Sequence, residues 1–153
     1  MYRSYWIDRV GVVVWTTVET EDALALRREM QHRHERLRSP LVLIMDFPEG
    51  LPFPGPEVRA VLKEHGTPSL KLCSTAFSVI EGNGVAASLF RTANRALLTV
   101  MGLAKMFRTC ETIDMALESL PPEVKSAKDG LRRLLEKDGI LLSPSELQPW
   151  IPE

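Results

Sequence analysis

Gly82-Asn83-Gly84, between a predicted strand and a predicted helix, comes closer than any other segment to a ligand-binding motif. Exposed backbone amides at the start of a helix can hold a phosphate or a carboxylate. No Gly-Lys-Ser/Thr follows, however, so the segment is not a Walker loop, and its glycines lack the spacing of a dinucleotide-binding turn. Gly82, Asn83 and Gly84 are therefore a weak candidate site for a small anionic ligand, and the pattern is more typical of a plain strand-to-helix turn.

The histidines and cysteines do not form a pattern that is typical of catalysis or of metal binding. His32 and His34 stand two residues apart on a predicted helix, so their side chains point about 200° apart and cannot share a metal. His65 has no grouping of other ligand residues around it at metal-binding spacing. Cys73 and Cys110 fall in strand-like segments, where a cysteine is typically a small apolar filler in a reducing compartment. We predict no catalytic residue, no metal and no cofactor, and therefore a protein that is not an enzyme.

The most unusual segment is proline-rich and runs from Leu51 to Pro56, with the sequence LPFPGP. Three prolines restrict its backbone, so an exposed Leu51 or Phe53 would lose little conformational entropy on docking to a partner. The segment is thus a candidate partner-binding ridge at one end of a sheet. The alternative is a rigid loop that folds Phe53 over the edge of the core.

Hydrophobic patterning predicts the elements that must position these segments. β-branched and apolar runs predict strands at 2–7, 10–18, 41–47, 71–80 and 105–108, and helical spacing predicts helices at 21–38, 57–65, 83–102 and 109–120. Gly66-Thr67-Pro68 is expected to end the second of these helices. The order of elements predicts an α/β fold with a mixed sheet of four to five strands and helices packed on it.

The helix at 83–102 has the clearest periodicity in the chain. Its apolar residues recur at helical spacing, so we expect one continuous face to be buried. Arg91, Asn94 and Arg95 are expected to face outward. The residues expected on the buried face are Val85, Leu89, Phe90, Ala93, Ala96, Leu97, Val100 and Met101.

Length and composition limit the classes of function. The chain has 153 residues, 44% of them apolar, and a net charge of −1. Nothing in that balance attracts the chain to nucleic acid or to an anionic membrane. The longest apolar runs are too short to span a bilayer, and the N-terminus lacks the apolar core of a signal peptide. We therefore predict a cytoplasmic protein that neither inserts into a membrane nor binds nucleic acid.

The last part of the chain is expected to be a helical extension. Pro121-Pro122 marks a boundary between a domain at 1–120 and an extension at 121–153, because the second proline ring cannot continue a helix. A helix is predicted over Val124–Lys137, and a second helix start is predicted at Ser143-Pro144-Ser145-Glu146. Trp150 and Ile151 are too apolar to stay in water without cost, so the extension packs either on its own core or in a homodimer.

The chain resembles the STAS domain, the fold of bacterial anti-sigma-factor antagonists and of the cytoplasmic tails of sulfate transporters. The residues that carry the resemblance are Leu97–Phe107, which are similar to that family's helix and turn into its last strand, and Thr112–Leu120, which are similar to its closing helix. The similarity covers Tyr2–Leu120. It implies a mixed sheet with packed helices and a regulatory function through protein binding.

The resemblance also places the family's regulatory site in this sequence. In the family, an Asp ends the third strand, an apolar residue follows, and a serine at the next helix start is phosphorylated to break a complex. Asp46 and Phe53 match the first two features, but Gly55 and Pro56 fill the serine positions. No hydroxyl-bearing residue occurs between Asp46 and Ala60, so the resemblance implies a relative without the phosphorylation switch.

These observations together predict a regulatory protein-interaction module. The predicted contact residues are Asp46, Leu51, Phe53, Gly55, Glu57 and Arg59. The alternative is a domain that binds a small anionic ligand or a nucleotide at Gly82, Asn83 and Gly84. An enzyme would need a pocket with convergent titratable residues, which the sequence does not indicate.

Overall fold

The computed structural model describes residues 1–142. The strands are β1 (Tyr2–Ile7), β2 (Val10–Trp15), β3 (Leu41–Phe47), β4 (Cys73–Ile80) and β5 (Phe107–Cys110). The helices are α1 (Thr20–Leu37), α2 (Pro56–Val61), α3 (Thr67–Leu70), α4 (Val85–Val100), α5 (Ile113–Glu118) and α6 (Lys128–Lys137). A π-helical turn, Leu62–Gly66, joins α2 to α3, and a 3₁₀ helix, Pro122–Ala127, precedes α6.

The strands form one five-stranded sheet in the order β1-β2-β3-β4-β5. β1 is antiparallel to β2, and the remaining neighbours are parallel. Asp8 makes the tight turn between β1 and β2 in the left-handed region, at φ 49°. The predicted α/β class, with a mixed sheet and helices packed on it, is confirmed. The ends of three strands differ from the prediction, since β2 stops at Trp15, and β4 and β5 each begin two residues later than expected.

Both faces of the sheet are covered, as side-chain alternation along the strands requires. On one face, Val12, Ile44 and Phe77 pack against α5, the 3₁₀ helix and α6. On the other face, Trp15, Leu43 and their neighbours pack against α1, α3 and α4. The near-continuous apolar character of β3 follows from this position, because a central strand of a parallel sheet is buried on both sides.

The segment after the proline-rich loop differs from the prediction. Gly66-Thr67-Pro68 does not end the helix, because a π-helical turn carries the chain from α2 into α3. Pro68 stands at the start of α3, directly after the π-helical turn. π-Helical turns are rare and occur mostly as single turns inside α-helices, where they change the hydrogen-bond pattern without ending the helix.

The prediction for α4 was only partly right about which face is buried. Ala87, Asn94 and Leu98 form the buried face, whereas Val85 and Leu89 point into solvent. Apolar residues surround most of this helix, so their period alone could not select the face that meets the sheet. Phe90, Leu97 and Met101, which were expected on the buried face, are half-buried beside it.

The C-terminal part of the described chain packs on its own sheet. Leu131 and Leu135 of α6 are fully buried in the core on the α5 side. The Tyr5 hydroxyl donates a hydrogen bond of 2.8 Å to Asp138, which joins β1 to the end of α6. The helix start predicted at Ser143–Glu146 and the tail with Trp150 and Ile151 lie outside the described residues. Within residues 1–142, no helix combines the length and apolarity that crossing a membrane requires.

Candidate functional site

The proline-rich loop folds toward the helices instead of standing free. Phe53 is half-buried, and its ring packs edge-to-face on Phe90 of α4 with 5.2 Å between centroids. Arg59 of α2 lies over the other side of that ring, at 5.6 Å from its centroid. Leu51 is also half-buried. The loop therefore attaches to α4 through Phe53, and the two elements share one edge of the molecule.

Gly55 and Glu57 stand where the loop enters α2. Gly55 is the N-cap residue of α2 at φ −64°, a conformation that any residue can adopt. Pro56 follows at the first helical position, which suits a residue without an N–H. Glu57 is exposed in the first turn, where a carboxylate interacts favourably with the free amides of the helix start.

Asp46 is separate from this exposed edge. It lies near the carboxyl end of β3 with 1% of its surface exposed, and its Oδ1 has no hydrogen-bond partner within residues 1–142. Burial, together with the nearby charge and hydrogen bond of Glu81, raises the pKa of Asp46 to about 8. Asp46 therefore holds its proton at neutral pH and contributes no contact area to the surface.

The Gly82–Gly84 turn is shaped by its neighbours. Gly82 adopts φ 99°, which favours glycine. Arg91 donates hydrogen bonds of 2.9 and 2.6 Å to the carbonyl oxygens of Ile80 and Gly82, so its charge is held under the turn. The Glu49 carboxyl group lies so close that a Cβ at Gly82 would be 3.0 Å from its Oε1. This carboxylate opposes an anion at the turn, although Asn83 and Gly84 are exposed.

The outward side of α4, formed by Val85, Leu89, Ala96 and Val100, is an exposed apolar stripe that we call the α4 face. Val85 is 78% exposed, Leu89 is 65% exposed and Val100 is 67% exposed. Apolar residues cover far more of the circumference of this helix than one buried face needs. That excess was visible in the sequence and could have indicated the surface that the residue-by-residue prediction missed.

A groove separates the α4 face from the proline-rich loop. Its volume is about 520 Å³, and Leu51, Phe53, Leu89 and Phe90 are among its lining residues. Three of the predicted contact residues, Leu51, Phe53 and Arg59, thus lie at or beside this groove. Glu57 lies on the neighbouring helix start, whereas Asp46 is buried. Groove and α4 face adjoin at Leu89, and the groove also has the carboxyl groups of Glu49 and Glu81 in its lining.

Within residues 1–142, no group of three or more His, Cys, Asp or Glu side chains is placed to hold a metal ion. Protein-family models give no match to the chain, and a search of curated protein sequences gives none either. The fold defines the class: an α/β protein with a five-stranded mixed sheet, helices on both of its faces and an apolar surface along α4.

Proposed function

We propose that this protein is a non-enzymatic module that binds another protein through the α4 face and the adjoining groove. The exposure of Val85, Leu89 and Val100 along one side of a single helix carries this proposal. Contiguous apolar surface of this kind on a folded chain is typical of a site for protein association. A shallow groove beside such a stripe suits the apolar face of a partner helix.

The charges of α4 favour an acidic partner over a second copy of the chain. The helix contains Arg91 and Arg95 but no Asp or Glu, and Arg95 is exposed beside the stripe. A second copy would bring the same arginines without a carboxylate on the helix to pair with them. We therefore propose as the occupant an amphipathic helix with glutamate or aspartate only along the edge that faces Arg95, away from Glu49 and Glu81 of the groove, because complementary charges favour encounter and suppress wrong partners.

The proposal includes a regulatory or signalling function in the cytoplasm, in line with the resemblance to anti-sigma-factor antagonists. Its support is the order of strands and helices and the position of the loop after β3. Regulation by a phosphoserine at that loop is excluded because no hydroxyl-bearing residue lies between Asp46 and Ala60. An anionic ligand at Gly82–Gly84 is a weaker proposal, since Glu49 lies against the turn. A homodimer through the C-terminal extension remains a separate prediction.

A designed peptide tests the proposal. A labelled peptide of about 18 residues, long enough to be helical, would carry leucines on one face and glutamates along the edge that faces Arg95. We expect fluorescence anisotropy to show binding to the wild-type protein. The variant Leu89→Asp should weaken binding by about tenfold or more, because it places a charge in the centre of the apolar stripe. Since Leu89 is exposed, the variant should remain folded.

Two controls define the outcome. Met115→Asp changes an exposed methionine on α5 and should leave binding unchanged. A peptide with lysines in place of the glutamates should bind more weakly than the acidic one. Equal binding of both peptides, or equal binding by wild type and Leu89→Asp, would contradict the proposal. A dimer of the free protein that Leu89→Asp dissociates in sedimentation would assign the face to a second copy.

A further inference from the structure

Beneath α4, on the side opposite the α4 face, lies a partly open cavity of about 90 Å³. It is bounded by one face of the sheet, by α1, α3 and α4, and by the proline-rich loop. Its lining includes Trp15, Met45, Phe53, Phe90, Asn94 and Leu98. Protein interiors are packed as densely as organic crystals, with few voids larger than a water molecule, so a space of this size is unusual in a domain this small.

Two buried hydrogen-bond donors line the cavity without a partner. Trp15 is 3% exposed and Asn94 is 7% exposed. Neither the indole Nε1–H of Trp15 nor the side-chain Nδ2 of Asn94 has a hydrogen-bond partner within residues 1–142. Buried polar groups in folded proteins are almost always satisfied, so two free donors beside one cavity indicate an acceptor that comes from elsewhere.

The remaining lining limits the chemistry of that acceptor. Among residues 1–142, no charged side chain lines the cavity, and the hydroxyl of Ser69, which does line it, already donates to the His65 carbonyl oxygen at 2.9 Å. An ionised group would lose its hydration here without a counter-charge. The acceptor is therefore an uncharged oxygen on a largely apolar molecule.

The volume of the cavity limits the size of the ligand. An engineered apolar cavity of about 150 Å³ takes up benzene, so about 90 Å³ suits a ligand, or the end of a longer ligand, of about the size of a small ring. Phe47, Phe53 and Phe90 line both this cavity and the outer groove. They form the wall between the two spaces.

We propose that this cavity is a binding site for a small apolar carbonyl compound, whose oxygen accepts hydrogen bonds from Trp15 Nε1 and Asn94 Nδ2. This site adjoins the protein-binding groove, but Trp15 and Asn94 line only the cavity. The carbonyl class follows from the chemistry of the wall: two donors, no charge and an apolar, aromatic surround.

Cyclopentanone and methylenecyclopentane form a matched pair of probes, because they differ only in C=O against C=CH₂. Titrations followed by ¹H–¹⁵N NMR should show cyclopentanone shifting the Trp15 indole and Asn94 side-chain signals. Trp6 serves as the internal reference, since its Nε1–H already donates to Glu29 at 2.6 Å. The spectrum of Trp15→Phe assigns the indole signal.

The variant Asn94→Leu separates the hydrogen bond from differences in hydration between the two probes. In this variant, the affinity for cyclopentanone relative to that for methylenecyclopentane should fall by about fivefold, which corresponds to the loss of one hydrogen bond. The wild-type titration tests the proposal even if that variant does not fold.

Three outcomes would overturn the proposal. Failure of both probes to bind at saturating concentration would leave ordered water as the only occupant of the cavity. Binding of the ketone without a shift of the Trp15 and Asn94 signals would place it elsewhere. An unchanged ratio in Asn94→Leu would mean that Asn94 does not contact the oxygen.

Discussion

Asp46 makes the stability of this protein depend on pH in a direction opposite to that of most carboxylates. It lies in β3 at 1% exposure, next to Glu81, and its pKa is raised from 3.8 to about 8 by burial first and by Glu81 second. The folded state therefore keeps a proton on Asp46 across a range in which the unfolded chain has released it. The perturbation to test is Asp46→Asn, which replaces the protonated acid by a neutral side chain of similar shape.

The direction and size of the change in stability with pH follow from this difference in bound protons. Between about pH 4 and about pH 8 the folded state binds one more proton than the unfolded state, so stability falls as pH rises, by at most about 1.4 kcal/mol per pH unit. The stabilisation is complete below the unfolded pKa and is lost as pH rises through the folded pKa. Over the roughly four pH units between the two pKa values, the loss of stability is at most about 6 kcal/mol. Water entry and relaxation around the ionised group reduce that limit, and we expect about 3 kcal/mol.

Urea unfolding followed by circular dichroism measures this effect. The free energies of unfolding of wild type and Asp46→Asn should be similar near pH 5 and should diverge by about pH 9, with the variant the more stable. Glu81→Gln removes the charge that helps to raise the pKa of Asp46, so its pH dependence should be smaller than that of the wild type. Glu57→Gln, at an exposed carboxylate, should follow the wild type. Parallel curves for wild type and Asp46→Asn would refute a buried, protonated Asp46.

Two further predictions concern the edge formed by β1 and α1. Glu29 accepts hydrogen bonds from three side chains of β1, at 3.0, 2.6 and 2.6 Å. Glu29→Ala should therefore lower the free energy of unfolding by about 2–4 kcal/mol. A loss smaller than the error of a urea titration would show that water replaces the carboxylate. Gly11→Ala would place a methyl group 2.5 Å from the Trp6 ring, and we expect a loss of about 1–3 kcal/mol by thermal or urea unfolding. Gly66→Ala, whose methyl group would stand at an ordinary contact distance of 3.7 Å, is the control; equal stability of the two variants would contradict the steric argument.

The sheet could be predicted from the sequence because its signals are local. β1 and β3 have the predicted bounds, since aromatic, β-branched and apolar runs mark strands within six or seven residues. The π-helical turn was not predictable, because glycine and proline together usually end a helix. What allowed the chain to continue was tertiary packing, which the local pattern does not contain.

The candidate site was harder to predict because its residues meet through distant contacts. Trp15 and Asn94 line one cavity although 79 positions separate them in the chain. Asp46 could be identified as a strand-end acid, but its neighbour Glu81 follows the next strand, and only the parallel pairing of β3 with β4 brings them together. The orientation of α4 was missed because Asn94 is polar. Polarity normally indicates the outer face of a helix, and here the polar residue is buried.

The orientation of α4 lowers the stability of the fold on both sides of the helix, and this loss supports a binding function for α4. On the inner side, a cavity of about 90 Å³ lies between the helix and the sheet, and the packing missing from a void of that size costs up to about 2 kcal/mol. On the outer side, three large apolar side chains, Val85, Leu89 and Val100, forgo about 1.5–3 kcal/mol each by remaining in water. Turning the helix by half a revolution would bury these three side chains but would move Phe90, Leu97 and Leu98 from the inner side into water. A void on one side of a helix and exposed large apolar side chains on the other are departures from local packing rules that are expected where the helix meets a ligand on one side and a partner on the other.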